Sequence, residues 1–258
     1  MANEKSQTEV QLSKDGDVAT IRFVSGAGVN IFSSRVIGTL GTVVEKVAAD
    51  PRVRFVVFRG DGRVFLAGAD ISEMQAFNET QGRAFATNGH NVFNAIEALP
   101  QVTFAAMNGH ALGGGCELAM SCDFRLLVAN GKIGQPETCL GLIPGWGGTQ
   151  RLPKYVGLGH ARRLLFSGEG ISADEALRIG LVDEVVPKAE ELDAALTRWF
   201  KRLAPGSPAA ITRVKRSLLL KDEIEEFGKC FSCSDAKEGM AAFHEKRKAS
   251  WANWGDGK

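Results

Sequence analysis

The chain has 258 residues, 44% of them hydrophobic and 24% charged, with a formal net charge of +1. That size supports one globular domain, or a domain with an appendage, around a substantial core. A near-neutral balance excludes a global field that would recruit nucleic acid or a membrane surface, leaving only local patches for such partners.

Met1–Glu9 is polar, with no apolar leader core and no Arg-rich amphipathic pattern, and no apolar run reaches membrane-spanning length. A cytoplasmic protein is therefore expected. Val18–Val24 reads as a strand. Ser33 or Ser34 can cap a helix that carries Val36, Ile37, Leu40, Val43, Val44 and Val47 at helical spacing, stopped by Asp50-Pro51. Val53–Phe58 is a second strand, ended by Arg59-Gly60-Asp61-Gly62, and a helix from about Glu79 to Leu99 follows with Phe85, Val92, Phe93, Ile96 and Leu99. Val102–Met107 and Phe124–Ala129 are further strands, ended by Asn108-Gly109 and Asn130-Gly131. Nearly continuous apolar strands separated by helices predict an α/β protein with covered sheets. The strand–turn–helix rhythm hints at a superhelical stack.

Beyond Gly145 the chain turns helical, with Ser172-Ala173-Asp174-Glu175 as a capping box and Gly180–Pro187 as one more short strand. Ser207-Pro208 starts a helix with Ile211, Val214, Leu218 and Leu219, and Asp235 is placed to cap a last helix through Met240 and Phe243. The region from 201 to 258 thus reads as a helical appendage to a core over 1–200, with apolar stripes that need a partner surface in this subunit or another.

Five cysteines, at 116, 122, 139, 230 and 233, form no even framework, and Cys230-Phe231-Ser232-Cys233 has metal-like spacing without a second pair. Reduced thiols and no metal site are expected. The four histidines share no ligand spacing. Gly141–Gln150 lacks the Lys-Ser/Thr ending of a phosphate loop, Gly26-Ala27-Gly28 lacks the third glycine of a dinucleotide fingerprint, and no G-x-S-x-G elbow is present.

The chemistry concentrates in Gly113-Gly114-Gly115-Cys116-Glu117. Three glycines suit close approach of backbone to a ligand, and a helix starting there presents unpaired N–H groups that favour negative charge. Glu117 is followed by Leu118, Ala119 and Met120, so its escape to solvent is difficult, and a carboxyl in apolar surroundings gains the raised pKa that suits proton transfer. Glu137 follows Pro136 at a second helix start, where a dipole-complementing role is the alternative. Ala67-Gly68-Ala69-Asp70-Ile71 is a small-residue turn that either supplies another N–H donor or simply caps a helix through Asp70.

Phe65–Ile71, Asn108–Ala119, Gly134-Gln135-Pro136-Glu137, Pro144–Leu152 and Glu238–Arg247 occur in the order of motifs of the crotonase (enoyl-CoA hydratase/isomerase) superfamily, which the chain resembles over nearly its whole length. The resemblance implies a spiral of ββα units, then a C-terminal helical trimerisation region, and assembly as a homotrimer or homohexamer. It implies an acyl-CoA thioester as substrate, with coenzyme A as part of that substrate and no metal or redox cofactor. The N–H groups of Ala69 and Gly114 match the oxyanion hole. Glu117 matches the group on the attacking water, Glu137 the group that protonates C2, and Gly145 a backbone position that helps place the water. Ala67, Gly68, Asp70, Ile71, Trp146, Phe243 and Lys246 match substrate or CoA contacts. Retention of both glutamates favours a 2-enoyl-CoA hydratase over an isomerase, for which one carboxylate suffices; a hydratase for a branched or cyclic enoyl-CoA is the other enzymatic alternative. Some relatives bind RNA, for which Arg213, Lys215 and Arg216 form the candidate patch, although a solvated helix face explains them as well.

Three positions depart from the family. Ser72 stands where Lys is common, Gly26-Ala27-Gly28-Val29 offers no basic residue near Asn30, and Trp146 replaces a small residue. Two common contacts to the CoA phosphates are thus missing, and Trp146 either narrows the acyl pocket or points into the core.

Overall fold

A computed structural model describes residues 8–252; residues 1–7, most of the polar N-terminal stretch, and 253–258, the end of the expected C-terminal region, lie outside the described residues. Two antiparallel strands, β1 (Thr8–Asp15) and β2 (Val18–Ser25), precede helix α1 (Ser34–Ala48). Three strand pairs with their helices follow. The first is β3 (Phe55–Gly60) and β4 (Val64–Leu66) with α2 (Ile71–Met74) and α3 (Glu79–Glu97); the second is β5 (Val102–Met107) and β6 (His110–Leu112) with α4 (Gly114–Ser121). The third is β7 (Phe124–Val128) and β8 (Lys132–Gly134), followed by a 3-10 turn over Pro136–Leu140 and α5 (Gly148–Ser167). Then come β9 (Gly170–Ser172), α6 (Ala173–Arg178) and β10 (Glu184–Val186), and finally α7 (Leu192–Leu203), α8 (Pro208–Leu220), α9 (Glu223–Cys230) and α10 (Ser234–His244).

Strands β1-β2-β3-β5-β7-β10 form one sheet and β4-β6-β8-β9 a second. Each of the three pairs gives its first strand to the larger sheet and its second to the smaller, so the ββα unit repeats. The Gly- and Asn-containing turns after β3, β5 and β7 are therefore corners between sheets rather than ends of isolated strands. Successive corners are stitched together by Asn108, whose Oδ1 accepts from Gly60 N (3.0 Å) and whose Nδ2 donates to Gly62 O (2.9 Å). Next to it Gly109 has no room for a side chain, since a Cβ there would lie 2.1 Å from Arg63 O.

The core follows the hydrophobic periodicity. All six apolar residues expected on one face of α1 are buried, Ser33 Oγ accepts from Val36 N at its start, and every residue of β5 is buried. Each large apolar side chain sequestered in this way contributes about 1.5–3 kcal/mol. Helix α4 lies directly on β4, because Gly115 has no side chain: a Cβ would stand 2.3 Å from Leu66 O. Gly115→Ala must push the helix off the strand, and we expect it to lower the urea-unfolding stability by roughly 1–3 kcal/mol, the range for overpacking.

The chain divides into two compact units, Met1–Glu97 with Thr103–Leu192 and Ala98–Val102 with Asp193–Lys258. In the second unit Ser207 Oγ accepts from Ala210 N at the start of α8, and Pro208 occupies the first helical turn. The expected cap of the last helix is corrected: Cys233 holds the N-cap position of α10, while Asp235 accepts from Ser207 Oγ (2.6 Å) and Ala209 N (3.4 Å), tying α10 to the start of α8. The basic triplet is engaged internally. Arg213 and Arg216 reach the Glu226 carboxylate at 3.1 and 3.4 Å, and Lys215 Nζ donates to Gln101 O at 2.7 Å. Val214, Leu218, Ile224 and Phe227 are more than half exposed, which leaves the apolar stripes of α8 and α9 uncovered in one subunit. Among the described residues no helix is long and apolar enough to cross a membrane.

Candidate active site

The two N–H groups named by sequence come from equivalent places in two successive units. Beyond β4, Phe32 N donates to Gly68 O and Asp70 N donates to Phe32 O, both at 2.8 Å. This parallel bridge brackets Ala69 and turns its own N–H to the opposite side. Beyond β6, Gly114 is the first residue of α4, where a backbone N–H has no partner within the helix. The two segments approach closely: a Cβ on Gly68 would lie 3.6 Å from Gly114 N. Gly113, with φ +54°, makes the turn that aims this N–H. Ala69 and Gly114 both line a cavity of about 650 Å³.

Glu117 stands in the first turn of α4 and is 2% exposed. Its Oε1 accepts from Trp146 N (2.7 Å) and Gly148 N (2.8 Å), two donors of the loop before α5. Burial pushes its carboxyl up to about 7, against the lowering effect of the Gly148 hydrogen bond. Nearby Glu137 adds to the rise and Arg151 opposes it. Glu137 leaves the 3-10 turn to face the same cavity, and its Oε2 is buried without a hydrogen-bond partner. Desolvation raises its carboxyl to about 7 also. Gly113 is again required here, because a Cβ would sit 2.8 Å from Glu137 Oε1.

Two carboxyls raised towards neutrality in one cavity can supply one base and one acid near pH 7. Acidification protonates the base and alkalinisation strips the acid. A bell-shaped kcat/KM profile is therefore expected, with its maximum near pH 7 and both limbs inside pH 5–9, measured on the wild-type enzyme.

Ala67, Gly68, Ile71, Gly145 and Trp146 line the cavity as well. Asp70 does not: its carboxylate caps α2, accepting from Ser72 N (2.9 Å), Ser72 Oγ (2.5 Å) and Glu73 N (3.3 Å). Phe243, 80% exposed on α10, and the exposed Lys246 belong to the second unit, whereas every lining residue belongs to the first. No cluster of His, Cys, Asp or Glu able to hold a metal ion occurs among the described residues. Trp146 lines the cavity and is at the same time 3% exposed, its ring packed edge-on against Phe32 and Phe93.

Two functional features were missed by sequence reasoning. The Gly147-Gly148 pair lies in the Pro144–Leu152 motif with no role assigned to it, yet Gly148 N holds Glu117. Arg151, 3% exposed, donates through Nη1 to Trp146 O (2.9 Å) and through Nη2 to Glu97 Oε2 (2.7 Å) and Asn94 Oδ1 (2.6 Å). An arginine one turn inside a helix opened by two glycines was the available signal.

Comparison with known proteins accords with this geometry. The family model for enoyl-CoA hydratase/isomerase matches residues 13–254. The chain is 42% identical to a short-chain-enoyl-CoA hydratase of Clostridium acetobutylicum, over 93% of this chain and 95% of that protein. It is 41% identical to a crotonyl-CoA hydratase of Syntrophomonas wolfei, over 93% and 96% respectively. An enoyl-CoA hydratase structure from Bacillus anthracis superimposes with a TM-score of 0.86 at 32% identity, covering 94% of this chain and 98% of that one.

Proposed function

The chain belongs to the enoyl-CoA hydratase/isomerase family, and from that membership we propose that it is a hydro-lyase adding water reversibly to a short-chain trans-2-enoyl-CoA to give the 3-hydroxyacyl-CoA. The observation that carries the reading is the buried Glu117 and the half-buried Glu137, facing one cavity with the N–H groups of Ala69 and Gly114. Coenzyme A enters as part of the substrate.

In the proposed reaction the thioester oxygen accepts from Ala69 N–H and Gly114 N–H. The Glu117 carboxylate takes a proton from water as the water oxygen bonds to C3. The C2=C3 electron pair moves towards the thioester, and the enolate charge collects on the oxygen held by the two donors. One such donor is typically worth about 2.7–4 kcal/mol of barrier. The Glu137 carboxyl then delivers its proton to C2. Each turnover moves one proton from Glu137 to Glu117, and exchange with solvent restores the pair. Gly145, which lines the cavity, is assigned the backbone contact that orients the water.

We further assign the uncovered stripes of α8 and α9 to a homotrimeric or homohexameric assembly, and the protein to the cytoplasm. Crotonyl-CoA tests the reaction: the conjugated-thioester absorbance should fall on addition of enzyme. An enzyme inert towards every 2-enoyl-CoA that instead moves the double bond of a 3-enoyl-CoA would make it an isomerase.

A further inference from the structure

Helix α3 faces the cavity with Gly82, Phe85 and Ala86, and one turn further the same stripe reaches Gly89. The first three line the cavity, but Gly89 is buried. Trp146 fills the space its missing side chain leaves: a Cβ on Gly89 would lie 2.2 Å from the indole Nε1. On the other side of the ring a Cβ on Gly114 would lie 2.5 Å from Cζ3. The indole is thus wedged between two glycine backbones, one of which carries an oxyanion-hole donor.

The ring is held there. Its Nε1 donates to Phe85 O at 3.2 Å, and its centroid lies 5.6 Å from that of Phe32 and 5.5 Å from that of Phe93, both edge-on. The cavity wall at Ile71 and Ile143 is more than half exposed, so the cavity has an open mouth and a closed end, and Trp146 is at the closed end.

We propose that Trp146, seated over Gly89, is the specificity-determining residue that limits acyl length, ending the acyl pocket just beyond the reacting carbons. This rests on the enoyl-CoA reading above. A thioester carbonyl at Gly114 N–H places the following carbons against the indole that covers Gly114. A longer chain must displace a ring that is hydrogen-bonded and packed edge-on by phenylalanines. With a small side chain at 146, the space over Gly89 becomes an apolar extension of the pocket towards Phe32 and Phe93. The Trp146 N–H on Glu117 is a backbone donor and survives every substitution except proline.

The test is kcat/KM for trans-2-enoyl-CoA thioesters of four, six, eight and ten carbons, on wild type, Trp146→Ala, Trp146→Phe and Gly89→Ala. A single methylene in an apolar pocket changes discrimination by roughly 10–200-fold. We therefore expect the wild type to prefer four carbons to eight by at least 10-fold, and Trp146→Ala to raise the eight-to-four ratio by at least 10-fold. Trp146→Phe, which keeps an aromatic ring in the core, should shift the ratio in the same direction by less. Gly89→Ala should drive the ring into the pocket and lower the six-to-four ratio, and should leave the profile of Trp146→Ala unchanged. An active wild type that takes eight carbons as well as four overturns the proposal, as does an unchanged ratio in folded Trp146→Phe. A wild type inert towards all four thioesters overturns the hydratase reading itself, and the length assignment with it.

Discussion

Glu117→Gln and Glu137→Gln are each expected to lower kcat/KM for crotonyl-CoA hydration by roughly 10²–10⁴-fold, the range for removing a positioned acid or base. The fold should survive both changes. At 117 the amide oxygen can still accept from Trp146 N and Gly148 N, which hold the present carboxylate at 2.7 and 2.8 Å. At 137 the change leaves no strong partner unpaired, because Oε2 has none. The two variants should nonetheless differ in a partial reaction. Exchange of the C2 protons of a saturated acyl-CoA with deuterated solvent needs the group at C2 and the oxyanion donors, but no attacking water. Glu137→Gln should abolish that exchange, whereas Glu117→Gln should retain most of it. Equal loss in both variants would contradict the division of roles, while full hydration by either would contradict a two-carboxyl reaction.

Legibility in the sequence followed the physics of each element. Helix α1 was readable because its cap, its apolar stripe and its Asp-Pro stop agree; all six predicted residues are buried, and of the two candidate serines Ser33 is the cap. The short strands β4, β6 and β8 were not read as strands, each being three residues long. Three residues cannot display a period of two, and their turns look like the ends of the strands before them. Only the pairing across two sheets reveals Asn108-Gly109 as a corner. Strand β1 does alternate, with Val10 and Leu12 half-buried between exposed Glu9, Gln11 and Ser13, but two apolar positions in a polar stretch are too few for that period to stand out. In the site, Glu117 announced itself as a charge inside an apolar run, but Glu137 became informative only through the family motif and then through the shared cavity. The hydrogen bonds that hold Glu117 come from backbone 29 and 31 residues away, and backbone donors carry no side-chain signature.

Arg151→Met should lower the stability of the site and raise its affinity for a proton, although Arg151 is not expected to touch substrate. Its guanidinium joins α3 to the loop that holds Glu117, through Glu97, Asn94 and the carbonyl of Trp146. The peptide it grips at Trp146 O is the residue whose N–H grips Glu117 Oε1. Breaking a buried ion pair costs about 3–5 kcal/mol. Glu97, at 28% side-chain exposure, regains some solvation, which places this case near about 3 kcal/mol on that scale. Urea unfolding should report that loss in both Arg151→Met and Arg151→Lys, because lysine cannot reproduce the planar fork. The pH profile should separate the two. Arg151 lowers the Glu117 carboxyl through its charge, so its removal raises the affinity of the base for its proton. The acidic limb of kcat/KM should therefore move to higher pH in Arg151→Met. In Arg151→Lys, which keeps the charge, the limb should stay close to its wild-type position. A merely structural arginine would give two variants equally destabilised with identical limbs; a positioning arginine gives one displaced limb, and the displacement follows the charge rather than the stability.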